Sequence, residues 1–576
     1  MKRRLLFLFI MLCVTLLLVS SCGTRTQEKE DDMQVNIPAY TIESVEEEES
    51  LTMAMPTIFA DGMVLQRNKD IRIYGYSEVE GATIKVTFNE QTKEAVVTKG
   101  RFDVCFPPME ASCGLSLKVE QMGENNEVLE FNNVSVGEVW VVSGQSNADY
   151  EVQKMEDYRE YLLSADNYPN LHLYTTPSTH EAEADLIGKG KWMKLDKAAL
   201  NAKARVSAHM YVTAVRLAAE FGRDVPVAIV HIARSSSSII TWLDYQSLYS
   251  VNMDDAMRAM DYKKFYEKNG FYPRNASESN YFKATVTEKP YAGLGMVCYM
   301  TYLAHLEGYI TRGVVWYQGE SDVSRYGGEY EALFSKLSDI FAKTFGNGED
   351  IPIFVIQLSS YADVKGPYSA NLKADQYNIA RNNDNVYLIS SVDGGSPLNT
   401  NDLKYMLVHS TRKSPIGIRC ANSILSNVYG IKKAEVMNAP EPVSFEVSGN
   451  SLKIVFDSDL CLYYGTEVSG FELCQNSVWY EAVGVIEGNS IILSSEMVTK
   501  PDAVRYGFGN YLLEMEDGSI YEVIGYEAMG NYTLLTLSNG ETIRAYPDDN
   551  TRIRFMVPGN LTNASGEPLF IFSIDF

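Results

Sequence analysis

One serine stands at a position where its hydroxyl could act as a nucleophile. Ser146 lies in GEVWVVSGQSNADY, directly after an apolar run that is typical of a buried strand. Gly144 permits a tight turn at the end of that strand, so the hydroxyl would stand above the sheet edge and the Ser146 backbone N–H could bind an oxyanion. The stretch lacks the GxSxG pattern of a nucleophile elbow. Ser146 is therefore the candidate nucleophile, and its neighbours Gln145 and Asn147 are candidate substrate-binding residues.

A serine nucleophile needs a base, and histidine is the side chain best suited to that role near neutral pH. The chain has six histidines: His172, His180, His209, His231, His305 and His409. His209 and His305 lie within helical patterns, which indicates structural roles. His409 follows the last strand-like run of the central region and precedes STRKSPIGIRCANSIL, a candidate closing helix. This order predicts that His409 lies at the same sheet edge as Ser146 and acts as its base.

Five apolar runs in the central region, from about residue 136 to 435, each end in a polar or glycine-rich cluster. They are VWVVSGQSN, VPVAIVHIARSSSS, GVVWYQGESD, IPIFVIQLSS and VYLISSVDGG. Helical stretches such as VSAHMYVTAVRLAAEFG alternate with them, which predicts a parallel sheet covered by helices on both faces. Ligands of doubly wound sheets bind outside the carboxyl ends of the strands. The five endings therefore predict an active site at one edge of this sheet.

The regions on either side of the central one are predicted to be β-domains. Residues 51–135 contain IRIYGY, TIKVTF and LSLKVE separated by turns, and residues 436–576 contain SLKIVF, SIILSS and TLLTLS. Within the second region, the segment from about 511 to 558 is predicted to add inserted hairpins.

The first 50 residues predict export. Basic residues precede an apolar run from Leu5 to Val19, which is shorter than the ~20 residues of a membrane-spanning helix, so residues 1–21 are predicted to be a signal peptide. The residues VSSC resemble a bacterial lipobox, in which Cys22 becomes the lipid-modified first residue. An acidic tether would then span residues 22–50. The expected location is the bacterial cell envelope; an ordinary signal peptide with an incidental cysteine is the alternative.

The net charge and the cysteine pattern argue against several classes of partner. A formal net charge of −25 disfavours binding of nucleic acid or of an anionic membrane surface. The six cysteines beyond the signal are scattered, with no CxxC pair and no histidine at metal spacing, which argues against a zinc site. Buried free thiols are expected, with a Cys105–Cys113 disulfide as the alternative.

Four stretches resemble the sialate O-acetylesterase family, a branch of the SGNH hydrolases related to acetyl xylan esterases. They are PTIFADGMVLQR, GEVWVVSGQSN, GVVWYQGESD and AVRYGFGN, in order from about residue 55 to the C-terminus. The resemblance implies a flavodoxin-like three-layer α/β/α SGNH-hydrolase domain flanked by β-domains, no metal or cofactor, and hydrolysis of acetyl esters on sugars, sialic acid among them. It assigns Ser146 as nucleophile, His409 as base and Gln318 as an oxyanion or substrate donor.

The chain departs from the family pattern at the turn after the second central strand. Many relatives have WGG there, whereas this chain has Arg234, Ser235 and Ser236. Ser236 keeps the backbone N–H that would face the oxyanion. A serine, however, adopts the positive φ of such a turn at a greater conformational cost than glycine.

A second departure concerns the acid that orients the base. Relatives commonly have Asp two residues before the histidine, where this chain has Leu407. Glu320 in QGES is expected to take that role, with Asp393 and Asp402 as alternatives. The prediction is a carbohydrate O-acetylesterase. Its alternatives are a non-catalytic glycan-binding lipoprotein that retains the fold, or an acetyl xylan esterase.

Overall fold

The computed structural model describes residues 52–576 with several internal gaps. The gaps are 124–125, 178–186, 253–294, 324–325, 327–328, 360–366, 394–398, 401–407, 432–437, 511, 516, 529–532, 546–553 and 557–558. The predicted signal peptide, Cys22 and the acidic tether lie outside the described residues, as do Asp402 and Leu407. None of the helices in the described ranges combines the length and the apolar character that crossing a membrane requires.

The five strands predicted for the central region are adjacent and parallel, which confirms that part of the fold prediction. Together with one further parallel strand their spatial order is Leu171–Thr175, Val227–His231, Glu127–Gly144, Gly313–Tyr317, Ile353–Ile356 and Val386–Ile389. Lys191–Lys194 adds an antiparallel edge strand. Numbered along the chain, the five predicted strands have the spatial order 2-1-3-4-5 of flavodoxin-like sheets. The order reverses between the first and third strands, where such sheets bind their ligands.

The inner parallel strands and the second half of Glu127–Gly144 are buried because helices cover the sheet, whereas the outer strand Val386–Ile389 is half-buried in its middle. The α-helices in the described ranges are Tyr158–Ser164, Lys197–Asn201, Ala208–Phe221, Tyr245–Val251, Tyr330–Phe345, Pro367–Asn382 and Ser414–Tyr429. Single turns of 3-10 or π helix are Val152–Lys154, Ala165–Asn167, Ile239–Trp242, Tyr299–Leu303 and Ala304–Leu306. A side chain at Gly417 would lie 2.4 Å from the carbonyl oxygen of His209, so this glycine lets helices Ala208–Phe221 and Ser414–Tyr429 pack closely.

The N-terminal β region continues directly into the central sheet. Its strands are Met53–Ala54, Val64–Gln66, Ile71–Ser77, Thr83–Phe88, Gln91–Val96, Arg101–Phe106 and Ser112–Met122. The strand Glu127–Gly144 pairs with Ser112–Met122 in its first half and with the parallel strands in its second half. The domain boundary predicted at residues 135 and 136 therefore falls within one continuous strand, and one apolar core spans both regions.

The C-terminal region is formed of β-strands around a second apolar core, which also includes Tyr377 of the helix Pro367–Asn382. Its strands outside the predicted insertion are Pro442–Ser448, Ser451–Phe456, Leu460–Leu462, Phe471–Gln475, Val478–Glu481, Val483–Glu487, Ser490–Ser494, Ala503–Tyr506, Leu561–Asn563 and Phe572–Asp575. The insertion contributes Leu512–Glu514, Ile520–Ala528, Thr533–Leu537, Thr542–Ala545 and Arg554–Met556. Its last strand pairs with Asn399–Thr400, which connects the insertion to the chain just before the segment that carries His409.

The cysteines differ in part from the expectation. All six cysteines beyond the signal are free, so the alternative prediction of a Cys105–Cys113 disulfide is wrong. Cys105 and Cys113 are also exposed rather than buried, whereas Cys298, Cys420 and Cys474 are buried. The two exposed thiols lie on strands of the N-terminal β region, where side chains alternate between the core and solvent.

Candidate active site

Ser146 lies on a turn over residues 145–149, which we call the nucleophile turn. Gly144 precedes it with φ 130°, and a side chain at Gly144 would lie 2.1 Å from the carbonyl oxygen of Tyr317 on the neighbouring strand. Only glycine meets both conditions. The Gln145 N–H donates to the Tyr317 carbonyl at 3.0 Å, and the Asp149 N–H donates back to the Gln145 carbonyl at 2.9 Å. The turn therefore holds a half-buried Ser146 at the carboxyl edge of the sheet.

The structure brings Ser146 and His409 together. The Ser146 Oγ lies 2.7 Å from His409 Nε2, although the two residues are 263 positions apart in the chain. Burial, followed by the positive charges of Lys413 and Lys154, lowers the pKa of His409 from its ordinary value of 6.5. A neutral imidazole at this distance can accept the proton of the serine hydroxyl.

Residues 234–238, which we call the serine loop, lie against the nucleophile turn on the side where an oxyanion donor is expected, which we call the oxyanion side. The Arg234 N–H donates to the Gly144 carbonyl at 2.9 Å and thereby holds the loop against the end of the nucleophile strand. Ser236 has φ 61° and is exposed, so this serine takes the left-handed conformation that favours glycine. Within the described residues, the backbone N–H groups of Ser146 and Ser236 donate no hydrogen bond to the protein. Both are available to an oxyanion.

Asp149 connects the nucleophile turn to the serine loop, a role that the sequence analysis missed. Its carboxylate accepts a hydrogen bond from the Ser235 hydroxyl at 3.2 Å and lies 2.6 Å from Arg205 Nη2. His231 Nε2 lies 3.3 Å from the same carboxylate. Burial by itself would raise the pKa of Asp149, but His231, Arg205 and Ser235 outweigh it and lower that pKa. The signal available in the sequence was a carboxylate three residues after the candidate nucleophile.

Gln318 occupies a different position from the expected one. Its side chain is fully buried, and its Nε2 donates to Asp322 Oδ2 at 2.7 Å and to the Ser237 carbonyl at 3.0 Å. Because an amide nitrogen has two hydrogens, these bonds leave no donor for an oxyanion. Gln145 is also buried, and its Oε1 accepts from the Ser321 N–H at 3.1 Å. Both glutamines hold neighbouring strand ends together rather than facing a substrate.

Asn147 is likewise directed into the protein. It is fully buried, its Nδ2 donates to Glu320 Oε1 at 2.5 Å and to the Val408 carbonyl at 2.8 Å, and its Oδ1 accepts from Lys413 Nζ at 2.6 Å. Asn147 therefore connects the nucleophile turn with residues 408–413, which we call the histidine loop. Lys413 had no role in the sequence analysis.

The carboxylates expected to orient His409 are engaged elsewhere in the described structure. Glu320 bonds to Asn147, and burial raises the pKa of Glu320. Asp393 forms a two-point ion pair with Arg419 at 2.9 and 3.0 Å. Along the described ranges no carboxylate forms an ion pair with His409, and Asp402 lies outside those ranges.

Comparisons with known proteins show which family the chain is similar to. The sequence model of the family described as carbohydrate esterase, sialic acid-specific acetylesterase, matches residues 295–426. The sialate O-acetylesterase of Rattus norvegicus is 24% identical over 503 residues, which cover 80% of this chain and 90% of the rat protein. The sialate O-acetylesterase of Homo sapiens is 26% identical over 322 residues, 52% of this chain and 55% of the human protein.

A solved structure supports the fold. The crystal structure of a carbohydrate acetylesterase from Xanthomonas citri matches with a TM-score of 0.66 and 23% sequence identity, covering 91% of this chain and 99% of that one. Its likeness extends over the central sheet and the β regions on both sides of it, given this coverage. Taken with the family match and the curated relatives, it shows that the chain is similar to sialate O-acetylesterases and other carbohydrate acetylesterases, which supports an ester hydrolase.

Proposed function

We propose that the protein is a carbohydrate O-acetylesterase that hydrolyses acetyl esters on glycans through a Ser/His acetyl-enzyme mechanism. The observation that carries this proposal is the 2.7 Å distance between Ser146 Oγ and His409 Nε2, at the edge where flavodoxin-like sheets bind their ligands. The strand order also supports the assignment of the central region to the SGNH hydrolases, with the two β regions as flanking domains.

The chemistry follows from this pair. Ser146 Oγ attacks the acetyl carbonyl carbon while His409 Nε2 takes the hydroxyl proton. The negative charge on the carbonyl oxygen is held by the N–H groups of Ser146 and Ser236. The tetrahedral intermediate collapses when His409 returns the proton to the departing sugar oxygen. A water molecule, deprotonated by His409, then attacks the acetyl-enzyme, and acetate leaves as Ser146 regains its proton.

The names of the relatives indicate which substrates to try first. Acetylated sialic acid corresponds to the rat and human proteins, and a neutral acetylated polysaccharide such as acetyl xylan represents the broader class. The relevant measurement is acetate release from each substrate by wild type and by Ser146→Ala. We expect wild type to release acetate from at least one of them, and Ser146→Ala to lose activity while keeping its melting temperature.

A non-catalytic glycan-binding protein is the rival proposal, favoured by the serines in place of WGG and by Leu407. A fluorophosphonate probe separates the two, because it reacts only with an activated nucleophile. Labelling confined to Ser146 supports the esterase. An unlabelled, folded wild type that releases no acetate would support the binding protein, and labelling within residues 235–238 would identify a different nucleophile.

We further propose that the protein is a lipoprotein of the bacterial cell envelope, anchored through Cys22. The support is the VSSC sequence after the apolar run of residues 5–19. Wild type should partition into detergent and Cys22→Ser into the soluble extracytoplasmic fraction. Wild type found in the soluble fraction would contradict the anchor.

A further inference from the structure

Lys413 is a buried lysine that contacts Asn147, the residue after the candidate nucleophile. Its side chain is almost fully buried, although it immediately precedes the helix Ser414–Tyr429 at the end of the histidine loop. Its Nζ donates to Asn147 Oδ1 at 2.6 Å and lies 5.1 and 5.7 Å from the ring centroids of Tyr150 and Tyr317. Removing an ammonium group from water costs stability unless it is well compensated. An apolar side chain would fill this space without that cost.

The neighbours of Asn147 determine which way its amide faces. The ammonium group of Lys413 can only donate, so it requires the amide oxygen. The Glu320 carboxylate and the Val408 carbonyl can accept, and they face the amide nitrogen. All three contacts agree on one orientation of the Asn147 amide.

The Asn147 side chain is hydrogen-bonded to the histidine loop at one residue before His409 and at one residue after it. Val408 directly precedes the histidine, and Lys413 follows it by four residues. Asn147 directly follows Ser146. One side chain next to the nucleophile therefore holds the loop that carries the base at two points, one before the base and one after it.

We propose that Lys413 is a positioning residue for the esterase reaction, which fixes the Asn147 amide and through it keeps His409 at hydrogen-bond distance from Ser146. The inference rests on the proposed function. Glu320 acts on the same amide from the other side. In this arrangement Glu320 and Lys413 influence the base through Asn147, not by direct contact with the imidazole.

Electrostatics add a second, separable consequence. Burial lowers the pKa of Lys413 to about 7, with Glu320 opposing that shift. At pH values below this pKa, Lys413 carries a positive charge. This charge lowers the pKa of His409 and is second only to burial among the causes of that shift. Further groups contribute to this field: Lys154 acts on His409, Asp322 acts on Glu320, and Tyr150, Tyr317 and the buried His209 lie next to Lys413. Removing the Lys413 charge should therefore raise the pKa of His409.

The test compares Lys413→Met with Lys154→Met in the full-length protein, using 4-nitrophenyl acetate as substrate. Both substitutions remove a charge that acts on His409, but Lys154 is an exposed side chain in an ion pair with Glu151 and does not contact Asn147. For Lys413→Met we expect kcat on the pH plateau to fall about tenfold or more with KM within about twofold, since geometry in the transition state is lost. The acid limb of the pH–rate profile, where activity is lost as His409 becomes protonated, should also shift to higher pH. For Lys154→Met we expect an unchanged plateau and a smaller shift of the limb.

Asn147→Ala is the second variant, and it tests the inference even if Lys413→Met does not fold. It keeps the Lys413 charge but removes the connection, so kcat should fall as in Lys413→Met while the acid limb stays in place. The double variant should be no slower than the slower single variant, because both remove one connection. Wild-type kcat in folded Lys413→Met or in Asn147→Ala overturns the inference. A wild type that is unlabelled by fluorophosphonate and inactive on every acetyl ester would instead refute the proposed function.

Discussion

The nucleophile turn is held by buried or half-buried charges on its two sides, and the two sides differ in how well those charges are balanced. On the base side, Lys413 has one hydrogen-bond acceptor, and Glu320 Oε2 is inaccessible with no partner in the described residues. On the oxyanion side, Arg205 donates to the carbonyls of Thr176 and Ala233 at 2.6 and 2.7 Å and also pairs with Asp149. The Arg205 guanidinium therefore has two carbonyl acceptors and a carboxylate partner, whereas the Lys413 ammonium group has a single acceptor among the described residues.

The pKa shifts follow from this difference. The partners of Asp149 lower its pKa, so it stays ionised throughout the working range of an esterase. Burial raises the pKa of Glu320 and lowers that of Lys413 to about 7. The oxyanion side is therefore a fixed charge arrangement, and the base side is one whose protonation changes near neutral pH. One turn therefore lies between a fixed charge arrangement on the Asp149 side and, on the Lys413 side, an arrangement whose charge depends on pH.

The largest expected effect comes from removing the base itself. His409→Asn leaves a polar side chain that cannot accept the Ser146 proton, and we expect kcat/KM for acetyl esters to fall about 10⁴-fold or more. Fluorophosphonate labelling of Ser146 should slow in parallel, while the melting temperature stays close to that of wild type because His409 lies at the surface of the site. Retention of more than about a hundredth of the activity would mean that another group serves as base.

The next largest effect should come from the oxyanion side. Asp149→Asn removes the charge that balances Arg205 and weakens the hold on the serine loop through Ser235. If that loop positions an oxyanion donor, kcat should fall about a hundredfold, the scale of losing one such donor, with little change in KM. Glu151→Gln, two residues along the chain and paired with Lys154 at the surface, is the matched control. A kcat for Asp149→Asn equal to the control would show that Asp149 serves folding alone.

A smaller effect is expected for Glu320. In Glu320→Gln the new amide oxygen can still accept from Asn147, so only the attraction to Lys413 is lost. We expect kcat to fall about tenfold, measured beside Asp393→Asn, whose main effect should be on thermal stability because Asp393 pairs with Arg419. A loss near 10⁴-fold for Glu320→Gln would mean that Glu320 contacts His409 directly in the working enzyme.

The sheet and the Ser146–His409 pair were predictable because topology alone brings them together. Parallel strands present their carboxyl ends at one edge, and Gly144 marks the turn at one of those ends. The directions of Gln318 and Asn147 were not predictable in the same way. A polar side chain just after a strand can face the substrate or the protein, and the choice depends on partners far away in sequence, such as Asp322 and Lys413.

The partners of Asp149 illustrate the same limit. Arg205, His231 and Ser235 come from separate segments, and nothing in the local pattern of any of them indicates the others. The family pattern predicted a positive φ at Ser236, and Ser236 has that conformation, which favours glycine. It did not indicate how the chain holds a serine in that conformation.

The smallest effect is expected for Ser236→Gly, which tests whether the Asp149 contacts impose that conformation. A non-glycine residue with positive φ is strained by roughly 1 kcal/mol, whereas glycine adopts the same angles without strain but loses more conformational entropy on folding. The two terms nearly cancel, so the free energy of unfolding should change by less than about 1 kcal/mol. Because the backbone N–H is retained, kcat should stay within about threefold of wild type.

The informative measurement is Ser236→Gly in the Asp149→Asn background. If the Asp149 carboxylate holds the serine loop in its strained conformation through Ser235, then a glycine that adopts this conformation by itself should recover part of the lost kcat. Recovery of about tenfold, with KM unchanged, would support that account. If Ser236→Gly instead lowers kcat by itself by more than about tenfold, the exposed Ser236 hydroxyl contacts the substrate, and the oxyanion side of the site does more than present a backbone donor.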